Sequence, residues 1–348
     1  MAAKKQITII QVAKAAGVSA QTVSRVINDH PDVAPQTRVR VQRVIDQLNY
    51  RPNILARSLI HRRSYTIGVV AMASSYYGPS TTLVGIEQMI RNLGYSLLLD
   101  FVHHPERDDV EQIINRLLSH QVDGILWAIP EIGINRAWMG RKSAHLPIPA
   151  IYLSMQPGKP PVVAIDNQHG GFLATEHLLS QGYHRIGIIT GPMDWWESRQ
   201  RLAGWRAALE KAYEPAAERQ IVEGDWSAAS GEAAIYKLWE QFPEIEAVFA
   251  SNDQMALGVL QAAHRSGHSV PGDLAVVGFD NIPESLFFWP ALTTVDQPLI
   301  DLGGRAVEVL SRLIEAEHAN DRTVRVDTIL LQPMLVIRES SVAKPELV

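Results

Sequence analysis

Near the N-terminus, one run of residues combines side chains that recognise base edges and phosphates. Ala20, Gln21, Thr22, Ser24, Arg25 and Asn28 share the face of a helix-spaced segment that lies opposite Val23 and Val26. A Gln amide can bridge N6 and N7 of adenine, and an Ala methyl can touch a thymine methyl. Short hydroxyl, amide and guanidinium groups can hold phosphates. No set of comparable clarity suits covalent chemistry. The chain has no Cys, and its 12 His are scattered. Thiol nucleophiles, cysteine-held zinc, iron–sulfur clusters and an HExxH site are therefore excluded, and no metal or cofactor is expected. P-loop, GxSxG and strand-linked GxGxxG motifs are absent. Asp166 and Asp280 could be paired as acid and base, yet Asp280 serves better as an acceptor for a ligand hydroxyl. A binding protein is expected, not an enzyme.

Three helices must position the polar face. Thr8 can cap a first helix whose apolar face is Val12, Ala13 and Ala16, and Gly17 supplies a positive φ at the turn. Ser19 can cap the second helix, whose Val23 and Val26 turn back onto the first. A small residue at 13, Gly at 17 and a branched residue at 23 form the spacing of a helix-turn-helix. Pro35 suits the first turn of a third helix carrying the stripe Val41, Val44, Ile45 and Leu48. Ala34 leaves that helix without a capping oxygen, a loss of about 1 kcal/mol. Residues 53–60 would suit one more helix, too short to be stable alone in water. Charge follows the same division. Residues 1–63 hold 11 Lys and Arg against 3 Asp and Glu, a net of +8, which leaves 21 against 34, a net of -13, for the rest. A basic module on an acidic body points to a polyanion partner for the module.

From residue 66 the pattern changes to short apolar runs, TIGVVA, YSLLLDF, VDGILWA and IPAIYL, alternating with amphipathic helices at 81–93 and 110–120. After residue 167 a second series follows: helix, RIGIIT, helix 198–213, helix 227–239, AVFAS, helix 254–266 and LAVVGFD. This alternation predicts two doubly wound α/β lobes, with a ligand cleft at the carboxyl ends of their strands. No apolar run nears the roughly 18 residues of a membrane helix, and the N-terminus lacks a secretory h-region. A cytoplasmic, nucleoid-associated protein without membrane contact is expected.

Residues 8–52 closely resemble the DNA-binding segment of the lactose-repressor (LacI) family in QVA, AGVS, TVSRVIN and LNYRPN. The likeness continues through ITGP, RLAGW, EGDWSAASG, ASNDQMALG, VVGFDN and ALTTVDQP, and is nearer to the lactose branch than to the purine or catabolite-control branches. It implies an all-α helix-turn-helix headpiece over 1–52 and a hinge helix and linker over 53–64. The core over 65–340 would be of the periplasmic-binding-protein-like type I. Lobe 1 would take about 65–166 and 298–326, and lobe 2 about 167–293 and 327–340. DNA contacts would come from Thr8, Ser19, Ala20, Gln21, Thr22, Ser24, Arg25 and Asn28, with base choice on Ala20 and Gln21. In the hinge, Asn53, Ala56 and Arg57 would flank Leu59 as a minor-groove wedge, with Arg62 and Arg63 near phosphates.

For the effector cleft, the resemblance carries over Arg201, Trp226, Asn252, Asp280 and Gln297. Asp253 is expected to cap the helix that follows it, and Arg199 to face solvent or a partner subunit. Trp195 and Trp196 suit sugar stacking and lobe packing equally. Ala128 and Ser154 stand where the lactose branch has an Asn and a carboxylate, so a β-galactoside is only the leading expectation among mono- and disaccharides. VIRES reads as the last strand, with no leucine-heptad segment after it, so a homodimer is expected. The implied function is a repressor released from a palindromic operator by a sugar. The alternatives are a regulator whose DNA binding is enhanced by a corepressor or protein partner, and a solute-binding protein, which would not carry a basic headpiece.

Overall fold

The computed structural model describes residues 7–27, 31–50, 63–72, 76–104, 110–133, 136, 146–153, 155, 161–214 and 216–342. The chain divides into two compact units, Met1–Tyr65 and Thr66–Val348.

In the first unit, α1 (Ile9–Ala16), α2 (Ala20–Ile27) and α3 (Pro35–Gln47) close on a small core that includes Val12, Ala13, Val23, Val26 and Val41. Local chemistry sets each end. The Thr8 side chain accepts from Gln11 N, and Gln11 Oε1 accepts from Thr8 N at 2.8 Å, which completes a capping box. Gly17 ends α1 in the left-handed region at φ 63°, a conformation that costs glycine little. Ser19 Oγ accepts from Thr22 N at 3.1 Å. Pro35 opens α3, and Ala34 provides no side-chain cap.

Among the described residues, the second unit holds two six-stranded sheets. In lobe 1, β1 (Thr66–Met72), β2 (Ser96–Val102), β3 (Gly124–Ala128), β4 (Ala150–Leu153), β5 (Val162–Ile165) and β11 (Ile329–Leu331) run parallel in the order β11-β5-β4-β3-β1-β2. In lobe 2, β6 (Ile186–Thr190), β7 (Ile221–Glu223), β8 (Ala247–Ala250), β9 (Ala275–Asp280), β10 (Thr293–Asp296) and β12 (Met334–Val336) take the order β12-β10-β9-β8-β6-β7. Only β12 is antiparallel, on β10. Lobe 1 carries α4 (Tyr77–Asn92), α5 (Val110–Ser119) and α10 (Leu299–His318). Lobe 2 carries α6 (Asn167–Ser180), α7 (Trp196–Lys211), α8 (Ala228–Gln241) and α9 (Asp253–Ser266). β5, β6 and β9 are buried along almost their whole length, which is why they read as unbroken apolar runs.

Three expectations change. α4 begins at Tyr77 instead of residue 81, because Gly78 and Pro79 fall in its first turn, where a missing N–H breaks no helical bond. The final crossing between lobes follows Leu331 instead of residue 326, because Ile329–Leu331 pairs with β5 of lobe 1. A three-residue edge strand leaves no periodic signal from which that could be read. The last strand is Met334–Val336, not VIRES. Arg338 leaves the ladder and donates to Leu292 O, Ser285 Oγ and Asn281 Oδ1. Among the described residues, no helix is long and apolar enough to cross a membrane.

Candidate nucleic-acid interface and ligand cleft

On α2, Gln21 and Arg25 are exposed, Ala20, Thr22 and Ser24 are half-buried, and Val23 and Val26 are buried in the headpiece core. Part of the polar face serves the fold: Thr22 Oγ1 lies 2.9 Å from Ser19 Oγ, and Thr8 belongs to its capping box. Asn28, Asn53, Ala56, Arg57, Leu59 and Arg62 lie outside the described residues, as does Ser154.

The cleft of the second unit lies at the carboxyl ends of both sets of strands, where a doubly wound sheet leaves room for a ligand. Arg201 of α7 is at its centre. Its Nε donates to Asn167 Oδ1 at 2.9 Å and its Nη1 donates to Ser251 O. Nη1 also stands 3.9 Å from Asp280 Oδ1. The guanidinium lies over the Phe279 ring at 3.7 Å and 5.5 Å from the Trp226 ring. Burial lowers the pKa of Arg201, and Asp280 opposes that shift.

Asp280 ends β9, and its Oδ1 accepts from Gln297 Nε2 at 2.6 Å. Burial pushes its carboxyl up to about 6, against the pull of Arg201 and Gln297. Asp253 is fully buried, with Oδ1 accepting from Thr294 Oγ1 at 2.6 Å and Oδ2 from Ile282 N at 2.8 Å. Burial first, and the charge of Asp280 second, push Asp253 up to about 8. The floor thus sets one guanidinium against one carboxyl that ionises below neutrality, with the second carboxyl held mainly as the neutral acid.

Asn252, not Asp253, caps α9. Its extended backbone aims Oδ1 at Met255 N, 2.8 Å away, while Asp253 is already helical and ties α9 to the strand ends instead. Asn252 Nδ2 donates to Trp226 O and to Gln254 Oε1, each at 3.0 Å, so this residue positions the Trp226 loop. Trp226 is held at φ 73°, a conformation unfavourable for a bulky residue. Its ring covers Gly191, where a Cβ would lie 2.2 Å from the indole. The buried Trp226 Nε1 has no hydrogen-bond partner among the described residues. Trp195 meets Trp226 edge-on at 5.7 Å and Tyr76 of lobe 1 at 5.9 Å. Opposite, lobe 1 presents mainly carbon, including Ala71, Leu83, Ala128, Leu153 and Leu299.

A model described as bacterial regulatory proteins, lacI family, matches residues 8–53, and one described as periplasmic binding protein-like domain matches residues 175–341. The ribose operon repressor of Escherichia coli (strain K12) is 36% identical over 93% of this chain and 98% of its own length. Catabolite control protein A of Priestia megaterium is 33% identical over 92% and 96%. This chain belongs to the LacI family. Among solved LacI-family structures, the lac repressor dimer bound to operator and the anti-inducer ONPF aligns with a TM-score of 0.82 at 31% identity, covering 97% of this chain and 100% of that one. These identities lie too close together to choose an effector.

The fold brings all five expected cleft residues, Arg201, Trp226, Asn252, Asp280 and Gln297, to one cavity. It separates the two tryptophans: Trp195 lines the cleft, and Trp196 packs into the buried cluster of lobe 1. Arg199 turns to its own loop, donating to Met193 O at 2.9 Å and Asp194 O at 2.8 Å. Sequence reasoning missed Asn167, Tyr76, Tyr77 and Glu197, which also line the cavity. Asn167, Tyr76 and Tyr77 lie a few residues past the end of a strand, the position from which an open α/β sheet presents its ligand groups, and Glu197 lies in the first turn of the helix that follows β6.

Proposed function

We propose that this LacI-family chain is a transcriptional repressor that binds a palindromic operator as a homodimer and releases it when a neutral sugar closes the cleft. The observation that carries the reading is the composition of the floor. Arg201 opposed by Asp280 suits paired hydroxyls and offers no surplus positive charge to a phosphorylated ligand. The Trp226 ring supplies a stacking face, and its unpartnered N–H supplies a donor. Arg201, Asp280, Gln297 and Trp226 are the effector contacts in this reading, with Asn252 behind them and a β-galactoside as the leading ligand. The chain performs no covalent step, so the ligand is recovered unchanged.

On DNA, Ala20 and Gln21 set base preference while Thr22, Ser24, Arg25 and Asn28 hold register. Thr8 supports α1 and Ser19 supports α2, and Leu59 wedges the minor groove beside Asn53, Ala56 and Arg57. Support for a second copy comes from lobe 2. Phe287 and Trp289 are 83% and 92% exposed, beside Leu286 and on a loop that Asp253 ties to α9, which itself exposes Leu257. Apolar surface of this kind is covered by a partner, and two-fold pairing gives two headpieces for two half-sites.

The test is selection of sites from random DNA, followed by titration of the selected site with and without members of a saccharide panel. An inverted repeat is expected, with one saccharide weakening operator binding by about 5- to 150-fold, the usual range of allosteric coupling. A saccharide that tightens binding would replace release by corepression. Operator binding unaffected by the whole panel would remove the sugar from the proposal.

A further inference from the structure

Two aromatic side chains cross the cleft in opposite directions. Tyr76, just before α4 in lobe 1, packs against the buried cluster of lobe 2. Trp196, the first residue of α7 in lobe 2, is 4% exposed and packs into the lobe 1 cluster that contains Val70, Ile129 and Tyr152. Its neighbours Trp195 and Glu197 line the cleft, and Trp196 does not, since successive helical side chains point about 100° apart. A polar tie accompanies this exchange. Arg136 of lobe 1 is steadied by Nε donating to Glu131 O at 3.0 Å. Its Nη2 donates to Asp194 O of lobe 2 at 2.6 Å, with Nη1 3.5 Å from Asp194 Oδ1. Arg199 donates to the same carbonyl from within lobe 2, at 2.8 Å. The turn before α7 is thereby gripped from both lobes at once, away from the groups assigned to the effector.

We propose that Trp196 and Arg136 form a clasp that raises the share of closed lobes before effector binds, without completing closure, and thereby sets effector sensitivity. Parting the lobes would expose the Trp196 indole to water and break the Arg136 bonds to Asp194. The clasp therefore raises the population of the closed form before any ligand arrives. The apparent dissociation constant equals the intrinsic one divided by the competent fraction. A weaker clasp thus lowers affinity without altering one contact to the ligand. The effect on sensitivity rests on the sugar-effector reading above; the clasp itself does not.

The test uses the full-length chain, free of effector and labelled with 5-fluorotryptophan. Its 8 Trp give resolvable fluorine resonances, and Trp196→Phe assigns one of them. In the wild type that resonance should show a smaller shift between H2O and D2O than in Arg136→Ala, where the lobes part more often. A solvent shift of the Trp196 resonance in Arg136→Ala equal to or smaller than that in the wild type would overturn the clasp. A second arm titrates both proteins with methyl β-D-galactopyranoside. Arg136→Ala should bind about two- to fivefold more weakly, the range for loss of an exposed ion pair coupled to closure. Equal affinity would overturn the sensitivity role. Failure of the galactoside to bind either protein would overturn the sugar reading and the sensitivity role together, and the fluorine spectrum would then decide the clasp alone.

Discussion

On α2, Gln21 and Arg25 stand in solvent with the headpiece core behind them, whereas Arg201, Asn252 and Asp280 are each less than a tenth exposed and bonded into the floor of the cleft. The first set can be exchanged without disturbing a packed interior. The second is part of that interior, so its members carry stability as well as recognition. Variants in the cleft cannot be assumed to report on binding alone, while variants on α2 can.

Arg201→Ala should produce the largest effect. It strips the compensating charge from buried Asp280 and the donor from Asn167, and removal of one partner from a buried pair costs about 3–5 kcal/mol. Chemical denaturation should register that loss in the second unit with no ligand present. A change below about 1 kcal/mol, the level of an exposed pair, would erase the contrast with α2.

Asp253→Asn should sharpen the contrast through pH. Burial lifts the Asp253 carboxyl from its ordinary 3.8 to about 8 in the folded chain, so the folded state holds a proton that the unfolded state has released. Such a group contributes its stability fully below pH 4, and that contribution is lost as pH rises through 8, at up to about 1.4 kcal/mol per pH unit. An Asn stays neutral throughout. Denaturant unfolding at pH 5 and pH 8 should therefore show the wild type losing ground to the variant at the higher pH. Parallel pH profiles would mean that Asp253 is ionised in the fold.

Gln21→Ala should have the smallest effect on folding, within about 0.5 kcal/mol, as for surface positions in general. Its consequence should appear in the selected operator, where one position changes preference and a wrong base pair costs about 1–3 kcal/mol. A melting temperature several degrees lower would show that α2 is less separable from its core than its exposure implies.

The headpiece was legible almost in full, because its signals are local. Thr8 and Gln11 are three residues apart, Gly17 needs only its own φ, and the apolar stripes repeat within single helices. The strands of the two lobes were legible where they are long and buried on both faces, as at β1, β6 and β9. Short edge strands such as β11 were not, and the boundary between lobes moved with it. In the cleft, the residues carried by the family resemblance converged as expected, yet their tasks could not be read from their types. Asn252 and Asp253 are adjacent and both can cap a helix. The choice between them depends on Thr294 and Ile282, residues distant in the chain that draw the Asp253 carboxyl sideways.

Periodicity, capping residues and the break in charge near residue 63 are properties of short stretches of chain, so the amino-acid order alone established the helix-turn-helix, the paired α/β lobes and the family. Burial and partnership arise between segments, and only the folded chain settled those. It directed Trp195 to the cleft and Trp196 to the opposite lobe, set Arg201 against Asp280, and left Asp253 without water so that its proton stays on. The physical reason is that a pKa or a packing contact depends on which distant atoms exclude solvent, and that quantity is undefined until the strands have stacked and the lobes have met.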